Sequence, residues 1–466
     1  MSNAPAQGNP HTRRIAEFVS GLRYEAIPPE VIDRIKLMIL DSMGCAVFGT
    51  ELEWSRILID TLASVDESRG CTVWGTRQRL SAPHAALVNG SLVQSFELDD
   101  VHRVGVLHVG AVTLPAVLAA MEARPGASGR DFLTASVAGY EIGPRVGMCM
   151  GQEHIGQGWH SGATVGVFSA AAGAAAALRL SADQTVHAIG IGGTQSSGLM
   201  AAQYGAMVKR MHAGRAAQSG LYGALLASRG YTGIQDVFES PYGGFCTTFS
   251  RSEDRFNLAE LTSGLGERFE TTRIALKFYS CVGSNHTTLD AIRDLQAADG
   301  FKLADIEKII VHGSKVTVDH VGWKYRPEGL TSAQLNLPYC VATLLLEGDV
   351  FVDQFTEAMV ADPTRMKVSE IVEVVEDPAI TARGNRYRHM VRVQVKLKGG
   401  KVLEQTVEAP RGSEQKFATS EDVIEKFRKL ASRRLAPASV ERLVQMIMTA
   451  ESTPKVSSLL AELAAA

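Results

Sequence analysis

Residues 162–177, GATVGVFSAAAGAAAA, consist almost entirely of small side chains. Glycine accounts for 44 of the 466 residues, which is above its ordinary share of about 7%. The excess glycine lies inside alanine-rich segments of this kind and not in linkers. A glycine inside a helix costs about 1 kcal/mol relative to alanine. We therefore expect these segments to be helices whose small side chains allow neighbouring backbones to approach closely.

The same helical pattern extends to both sides of this stretch. Apolar periodicity predicts helices joined by short glycine turns at residues 11–24, 29–48, 82–98, 112–122, 128–146, 160–178, 181–199 and 212–228. No strand pattern of comparable length interrupts them. Residues 1–268 are therefore predicted to form one large all-helical domain.

The pattern changes near residue 270. Strands are predicted at 306–313, 368–375, 391–397 and 402–408, with helices among them at 285–298 and 330–347. The last two strands flank Gly399-Gly400, which predicts a β-hairpin. Residues 269–411 are therefore expected to form a smaller α+β domain on a mainly antiparallel sheet. The helical pattern returns at Ser420, so residues 412–466 are expected to complete the first domain. The predicted fold class is mainly α.

Composition and charge exclude several classes of protein. Hydrophobic residues make up 45% of the chain and charged residues 21%, as in ordinary globular proteins. The net charge of −3 gives nucleic-acid binding no electrostatic support. No apolar run reaches the roughly 18 residues that span a membrane. The N-terminal segment has no apolar signal core and the cysteines are scattered singly, so we expect a cytoplasmic protein with free buried thiols.

One polar segment stands out between apolar helical runs. It is ELDDVHRVGVLH at residues 97–108, and it brings three carboxylates, two histidines and an arginine into one short stretch. Burying such groups costs free energy unless they pair or carry out chemistry. This segment is therefore the first candidate site. Its candidate residues are Glu97, Asp99, Asp100, His102 and His108.

Other polar side chains lie among small or apolar residues further along the chain. They are His160, Lys209, Arg210, His212, Lys277, His286 and Tyr339. Lysine and arginine bind carboxylates, and histidine titrates near neutral pH. Such a set can move a carbon-bound proton beside a carboxylate while cations stabilise the developing charge. The residue types therefore favour a di- or tricarboxylate substrate.

Other reaction classes lack their sequence signatures. The chain has no dinucleotide fingerprint, phosphate-binding loop, HExxH or GxSxG motif. The spacing of His102 and His108 with Asp99 and Asp100 matches no standard metal-ligand pattern. The residues therefore predict neither a nucleotide cofactor nor a metal site.

Seven motifs occur in an order that resembles the MmgE/PrpD family. They are Asn89-Gly90-Ser91, Glu97-Leu98-Asp99-Asp100, His108 before a Leu-Pro helix, Gly158-Trp159-His160, Lys209 to His212 with the following AGRAA, the segment around Lys277, and Leu337-Pro338-Tyr339. This family includes 2-methylcitrate dehydratase, cis-aconitate decarboxylase and iminodisuccinate epimerase. The resemblance covers about residues 11–460. It implies a helical domain, a smaller lid domain, a cleft between them, a homodimer and chemistry without metal or organic cofactor.

The resemblance also implies roles for individual residues. The positions that match the family's catalytic residues are His108, His160, Lys209, Lys277 and Tyr339, with the acidic cluster at Glu97, Asp99 and Asp100. His108 would be the principal general base or acid and His160 its counterpart, while Lys209 and Lys277 would bind carboxylates and Tyr339 a hydroxyl. Further substrate contacts are expected from Glu97, His102, Arg210, His212 and His286.

Several functions stay open on this scaffold. The first hypothesis is elimination of water from a hydroxylated di- or tricarboxylate, as in 2-methylcitrate dehydratase. The second is epimerisation of an imino- or amino-dicarboxylate, which uses the same proton abstraction. Decarboxylation comes third, because Val282 stands where decarboxylase-like members have a histidine and because the loop 102–108 is longer than theirs. A binding protein without activity is disfavoured because His108, Lys209 and Lys277 are all present.

Overall fold

The computed structural model describes residues 11–124, 126–151, 153–203 and 206–464. Helix accounts for 59% of the structure and strand for 8%, so the predicted mainly α class is confirmed. The first part of the chain contains α1 (His11–Gly21), α2 (Pro29–Gly49), α3 (Glu53–Val65), α4 (Ala82–Val93), α5 (Val109–Glu122), α6 (Gly129–Met150), α7 (Glu153–Gly156), α8 (Ser161–Thr164), α9 (Gly166–Ala177), α10 (Ala182–Gly193), α11 (Val208–Ser228) and α12 (Phe245–Ser250). A short antiparallel ribbon joins β1 (Cys71–Thr72) to β2 (Arg79–Leu80).

A second set of elements follows residue 282. They are α13 (Gly283–Asp299), β3 (Ile306–Gly313), α14 (Lys315–Val321), α15 (Leu330–Leu335), α16 (Leu337–Glu347), α17 (Glu357–Val360), α18 (Pro363–Ser369), β4 (Val372–Glu376), α19 (Pro378–Ala382), β5 (Val391–Leu397) and β6 (Val402–Val407). The chain ends with α20 (Ser420–Ala431), α21 (Pro437–Met448) and α22 (Ser457–Leu463).

The strands β3 to β6 form one sheet in the order β4-β3-β5-β6. The β5–β6 hairpin is present, and Val395 pairs with Leu403 next to its turn. Gly400 in that turn has a φ of +83°, which a residue with a side chain rarely adopts. The pairings β3–β5 and β5–β6 are antiparallel, but β3–β4 is parallel. The sheet is therefore mixed, because the helices α14 to α18 carry the chain back to the same end of β3 before β4 begins.

The glycine-rich helices pack closely, as the sequence predicted. A Cβ on Gly220 of α11 would lie 2.4 Å from the Cβ of Ala170 in α9. A Cβ on Gly214 of α11 would lie 2.0 Å from the carbonyl oxygen of Leu87 in α4. Contacts this short do not occur between real atoms, so only glycine allows α11 to approach its neighbours at these points. This packing fixes α11, which carries three candidate site residues.

Several predicted elements have different bounds in the structure. The helix predicted at 181–199 ends at Gly193, the helix predicted at 330–347 is divided into α15 and α16, and the strand predicted at 368–375 begins at Val372, after α18. The helix predicted at 160–178 is divided into α8 and α9, which meet at Val165. The helix predicted at 82–98 ends at Val93. Beyond it, Glu97 has a φ of +57°, in the left-handed region where a right-handed helix cannot continue. The turn after α4 therefore changes the chain direction at the candidate site.

The apolar side chains form two separate cores. One contains buried residues between Ile15 and Leu276 together with residues from Ala418 to Leu463. The other contains mostly residues between Tyr279 and Val407. Helix α20 packs against α2, so the C-terminal segment lies on the first core. These cores support our proposed division into a helical domain (residues 1–268 and 412–466) and a small domain (269–411).

The remaining sequence expectations concern the thiols and the membrane. All six cysteines are buried and free, as predicted. In the part of the chain that the structure describes, no helix combines the length and apolar character needed to cross a membrane.

Candidate active site

His108 is the residue immediately before α5, and its backbone is extended. Its Nδ1 atom lies 3.0 Å from Oδ2 of Asp99, although the two atoms are not aligned as a hydrogen bond. The Asp99 side chain is fully buried, whereas 18% of the His108 side chain is exposed. The carboxylate therefore lies behind the ring and orients it, which leaves Nε2 to meet a ligand. This is the arrangement that a histidine general acid or base needs.

Asp100 supports the helix on which His108 sits. Its carboxylate accepts hydrogen bonds from the backbone N–H of Gly110 at 2.9 Å and from the hydroxyl of Tyr140 at 3.1 Å. Burial, and then the neighbouring Asp99, raise the pKa of Asp100 to about 8. The side chain points into the protein and does not line the cavity described below. Asp100 thus fixes the first turn of α5.

Lys426 of α20 joins two parts of the site from within the core. Its Nζ atom donates to Oδ1 of Asp41 at 2.5 Å, to the carbonyl oxygen of Leu98 at 2.7 Å and to the carbonyl oxygen of Lys277 at 2.7 Å. An ammonium group has three N–H donors, and each of them is used here. Helix α20 therefore holds the segment bearing Asp99 against the segment bearing Lys277.

Glu97 lies between two cations of the helical domain, Lys209 and Arg210, and one of the small domain, Lys277. Its Oε1 atom accepts from Nζ of Lys209 at 2.5 Å and from Nη1 of Arg210 at 2.7 Å. Its Oε2 atom lies 3.4 Å from Nζ of Lys277. Burial opposes ionisation of Glu97, but Lys209, Lys277 and Arg210 outweigh it and hold its pKa well below the usual range. Glu97 is therefore an ionised counter-charge that fixes three cations in place.

His160 and His212 form a pair beside Lys209. Their Nδ1 atoms are 2.9 Å apart, so one ring donates the proton and the other accepts it. Burial lowers the pKa of both rings, and the pKa of His160 is lowered further by His212, Lys209 and His108. Both imidazoles are therefore neutral near pH 7. From the sequence we expected His160 to be the counterpart of His108 and His212 to be a substrate contact.

A cavity of about 330 Å³ opens next to His108. Four predicted site residues line it: Glu97, His108, Lys277 and His286. The small domain adds polar groups that the sequence did not single out, and the loop before α5 adds one more. These residues are Arg103, Ser284, His320, Arg388 and His389. Arg388 and His389 directly precede β5, and the only sequence signal for them was a basic pair at a predicted strand end.

Other predicted site residues lie away from this cavity. His102 is buried, with Nε2 lying 3.2 Å from Oε2 of Glu270 and Nδ1 accepting from the Gly105 N–H. Tyr339 is fully buried in the core of the small domain, and its hydroxyl lies 3.5 Å from Nη1 of Arg365. Neither side chain has a path to a ligand at His108 in this conformation. Both have the contacts of structural residues.

A larger groove of about 840 Å³ lies on the surface of the helical domain. Two of its three arginines are paired with carboxylates: Arg130 contacts Glu25 at 3.1 Å, and Arg179 contacts Asp131 at 2.8 Å. The third, Arg23, donates to the carbonyl oxygens of Ser20 and Leu22. It contains none of the predicted site residues. Among the described residues, no group of three or more His, Cys, Asp or Glu side chains has an arrangement that could hold a metal ion. The cavity at His108 is therefore the candidate active site.

Comparison with known proteins identifies the family of the chain. The MmgE/PrpD N-terminal domain model matches residues 13–257, and the MmgE/PrpD C-terminal domain model matches residues 279–451. The chain belongs to the MmgE/PrpD family. The resemblance seen in its seven motifs is thereby confirmed.

Relatives of this MmgE/PrpD protein match it over nearly its full length. A cis-aconitate decarboxylase-like protein of Aspergillus oryzae is 36% identical over 99% of this chain and 98% of its own. A cis-aconitate decarboxylase of Aspergillus terreus is 32% identical over 96% and 95% of the two chains. The cis-aconitate decarboxylase of Homo sapiens is 27% identical over 96% and 93%. This MmgE/PrpD protein is accordingly an enzyme of the lyase class.

Proposed function

We propose that this lyase decarboxylates an unsaturated tricarboxylate of the cis-aconitate type. The observation that carries the proposal is His108, backed by buried Asp99, at a cavity whose other walls carry Lys277, Arg103 and Arg388. A histidine among several cations suits a substrate with several carboxylates and a step that moves one proton. The names of the relatives favour decarboxylation over the other reactions of such a site.

The chemistry requires one proton and releases carbon dioxide. In cis-aconitate, the bond between the methylene carbon and its carboxylate breaks, and its electron pair becomes a new terminal C=C bond. The electrons of the original C=C bond take a proton at the former vinyl carbon. The product is a dicarboxylate with a terminal methylene group. We assign His108 as the proton donor, and Lys277 as a cation that binds a carboxylate of the substrate.

The small domain supplies histidines to the cavity although position 282 is a valine. Val282 stands where decarboxylase-like members carry a histidine, which placed decarboxylation third among the sequence hypotheses. The cavity wall nevertheless carries His286, His320 and His389. An imidazole is therefore present on that side of the cavity without one at position 282. Dehydration of a hydroxylated tricarboxylate is the second candidate, and Val282 is the observation that favours it.

Proton NMR in deuterated water tests the proposal directly. The protein is incubated separately with cis-aconitate, with 2-methylcitrate and with saturated dicarboxylates, and carbon dioxide is measured in parallel. We expect cis-aconitate to give terminal methylene signals, one deuteron at the former vinyl carbon and one equivalent of carbon dioxide. Loss of water from 2-methylcitrate without carbon dioxide would replace decarboxylation by dehydration. Exchange without a change of composition would indicate an epimerase, and binding without exchange or conversion would contradict an enzyme of these acids.

A further inference from the structure

Two arginines and a histidine meet where the two domains face each other across the cavity. Arg103 lies in the loop before α5, and Arg388 and His389 precede β5. Nη2 of Arg103 lies 3.3 Å from Nδ1 of His389, and Nε of Arg388 lies 3.2 Å from Nε2 of the same ring. Nη2 of Arg388 also donates to the carbonyl oxygen of Arg103 at 3.4 Å. We call Arg103, Arg388 and His389 the arginine cluster.

The charges of the arginine cluster are not balanced. Arg103 has one carboxylate partner, Glu414, at 3.3 Å, and its buried Nε atom has no hydrogen-bond partner in the described structure. Arg388 forms no ion pair with any carboxylate among the described residues. Burial, and then Arg103, lower the pKa of Arg388 to about 10. Glu414 opposes this lowering only in part, because the same carboxylate is paired with Arg103. A largely enclosed guanidinium without an ion-pair partner of its own costs free energy, and a bound anion would reduce that cost.

His389 cannot accept a hydrogen bond from Arg103 and from Arg388 at the same time. Burial, and then the repulsion from Arg388 and Arg103, hold the pKa of His389 well below its usual range, so the ring is neutral. A neutral imidazole has one acceptor nitrogen, but a guanidinium N–H approaches each of its two nitrogens. Only one of these contacts is a hydrogen bond. At least one arginine therefore has an N–H available for a ligand.

We infer that Arg388, together with Arg103, is a carboxylate-binding subsite that makes the enzyme prefer three carboxylates to two. The inference rests on the proposed function for its substrate class. Glu97 already pairs with Lys209 and Arg210 in the helical domain, whereas Arg388 has no ion-paired carboxylate within the described part of the chain. A planar guanidinium binds a carboxylate through two parallel hydrogen bonds. The subsite also joins the domains, because Arg103 and Arg388 come from different ones.

Binding of an unreactive tricarboxylate tests this subsite without turnover. Propane-1,2,3-tricarboxylate and pentanedioate are titrated calorimetrically into the wild type, Arg388→Gln, Arg388→Lys and the control Arg386→Gln. Arg386 is exposed, two residues away, and does not line the cavity. We expect Arg388→Gln to weaken the tricarboxylate about 10- to 100-fold and the dicarboxylate less than about threefold. Arg388→Lys should fall between, because lysine is a point charge without the planar fork.

The same variants separate this inference from the proposed reaction. Arg388→Gln should raise KM for the tricarboxylate more than it lowers kcat, and its melting temperature without ligand should be no lower than that of the wild type. Equal losses for both acids, or an equal loss in Arg386→Gln, would overturn the subsite. If Arg388→Gln does not fold, the result for Arg388→Lys decides, since wild-type discrimination in that variant would overturn it too. Selective tricarboxylate binding without decarboxylation would keep the subsite and remove only the proposed reaction.

Discussion

The two walls of the cavity differ in whether their cations are paired with a carboxylate. On the helical-domain wall, Glu97 bonds to Lys209 and Arg210 and lies within 3.4 Å of Lys277. On the small-domain wall, Arg388 donates hydrogen bonds to a neighbouring imidazole and a carbonyl oxygen, and it forms no ion pair with a carboxylate among the residues that the structure describes. A wall that is paired internally keeps its geometry whether or not a ligand is bound. A wall with an unpaired cation gains its partner from the ligand, so we assign chemistry to the first wall and selection to the second.

The largest expected effect is the loss of kcat when the imidazole of His108 is removed. His108→Gln should lower kcat for the preferred acid by roughly 10² to 10⁴, the range of general acid–base catalysis, with little change in the affinity for propane-1,2,3-tricarboxylate. Steady-state kinetics and calorimetry measure the two effects. The control is His102→Gln, which breaks the contact with Glu270 and should reduce stability while kcat stays within about threefold. A catalytic loss in His102→Gln as large as that in His108→Gln would move the chemistry away from His108.

A smaller effect is expected when the paired wall loses its internal support. Lys426→Met leaves Asp41 and the carbonyl oxygens of Leu98 and Lys277 without a donor, which should lower the free energy of unfolding by about 3–5 kcal/mol. Urea unfolding measures this loss, and kcat should fall with it because Asp99 and Lys277 lose their fixed separation. Lys429→Met, on an exposed position of α20, should stay within about 0.5 kcal/mol. Equal stability of the two variants would show that Lys426 does not hold the wall.

A change in the pH dependence of stability is expected as well. The pKa of Asp100 is about 8 in the folded protein, above its ordinary value, so the folded state binds more protons than the unfolded state between about pH 4 and 8. Wild-type stability should therefore decrease as the pH rises through that window. Asp100→Asn removes this titration and should give a flatter profile. Urea unfolding at pH 5 and pH 8 compares them, with exposed Asp183→Asn as control, and parallel profiles of wild type and Asp100→Asn would contradict the assignment.

The sequence predicted the main features of the fold because they depend on local patterns. Alternation around Gly399-Gly400 predicted the hairpin, and the small residues of 162–177 predicted closely packed helices. Helix ends were less accurate: the helix predicted to reach residue 98 ends at Val93. No local sequence pattern predicts the left-handed backbone of Glu97, since residues other than glycine rarely adopt it. The homodimer and the cytoplasmic location stay predictions.

Within the candidate site, the sequence found the residues that occur in polar segments between apolar runs. His108, Glu97, Lys277 and His286 all line the cavity. It did not find Arg388 or His389, because a basic pair before a strand is ordinary on a protein surface. The sequence also suggested catalytic roles for Asp100 and Tyr339. In the structure, Asp100 contacts Gly110 and Tyr140, and Tyr339 contacts Arg365.

The sequence by itself determined the helical class of the chain, the segment 97–108 and the chemical types of the groups available for catalysis. These follow from periodicity, from glycine content and from polar residues in apolar surroundings, all of which are local. Tertiary structure alone decided which charges are paired. Lys426 reaches Leu98 and Lys277 from α20, and Arg388 meets Arg103 across the domain boundary. Whether a buried cation has a counter-charge depends on chain segments that are hundreds of residues apart. Only the folded protein therefore distinguishes the wall on which Glu97 pairs with cations from the wall that carries Arg388.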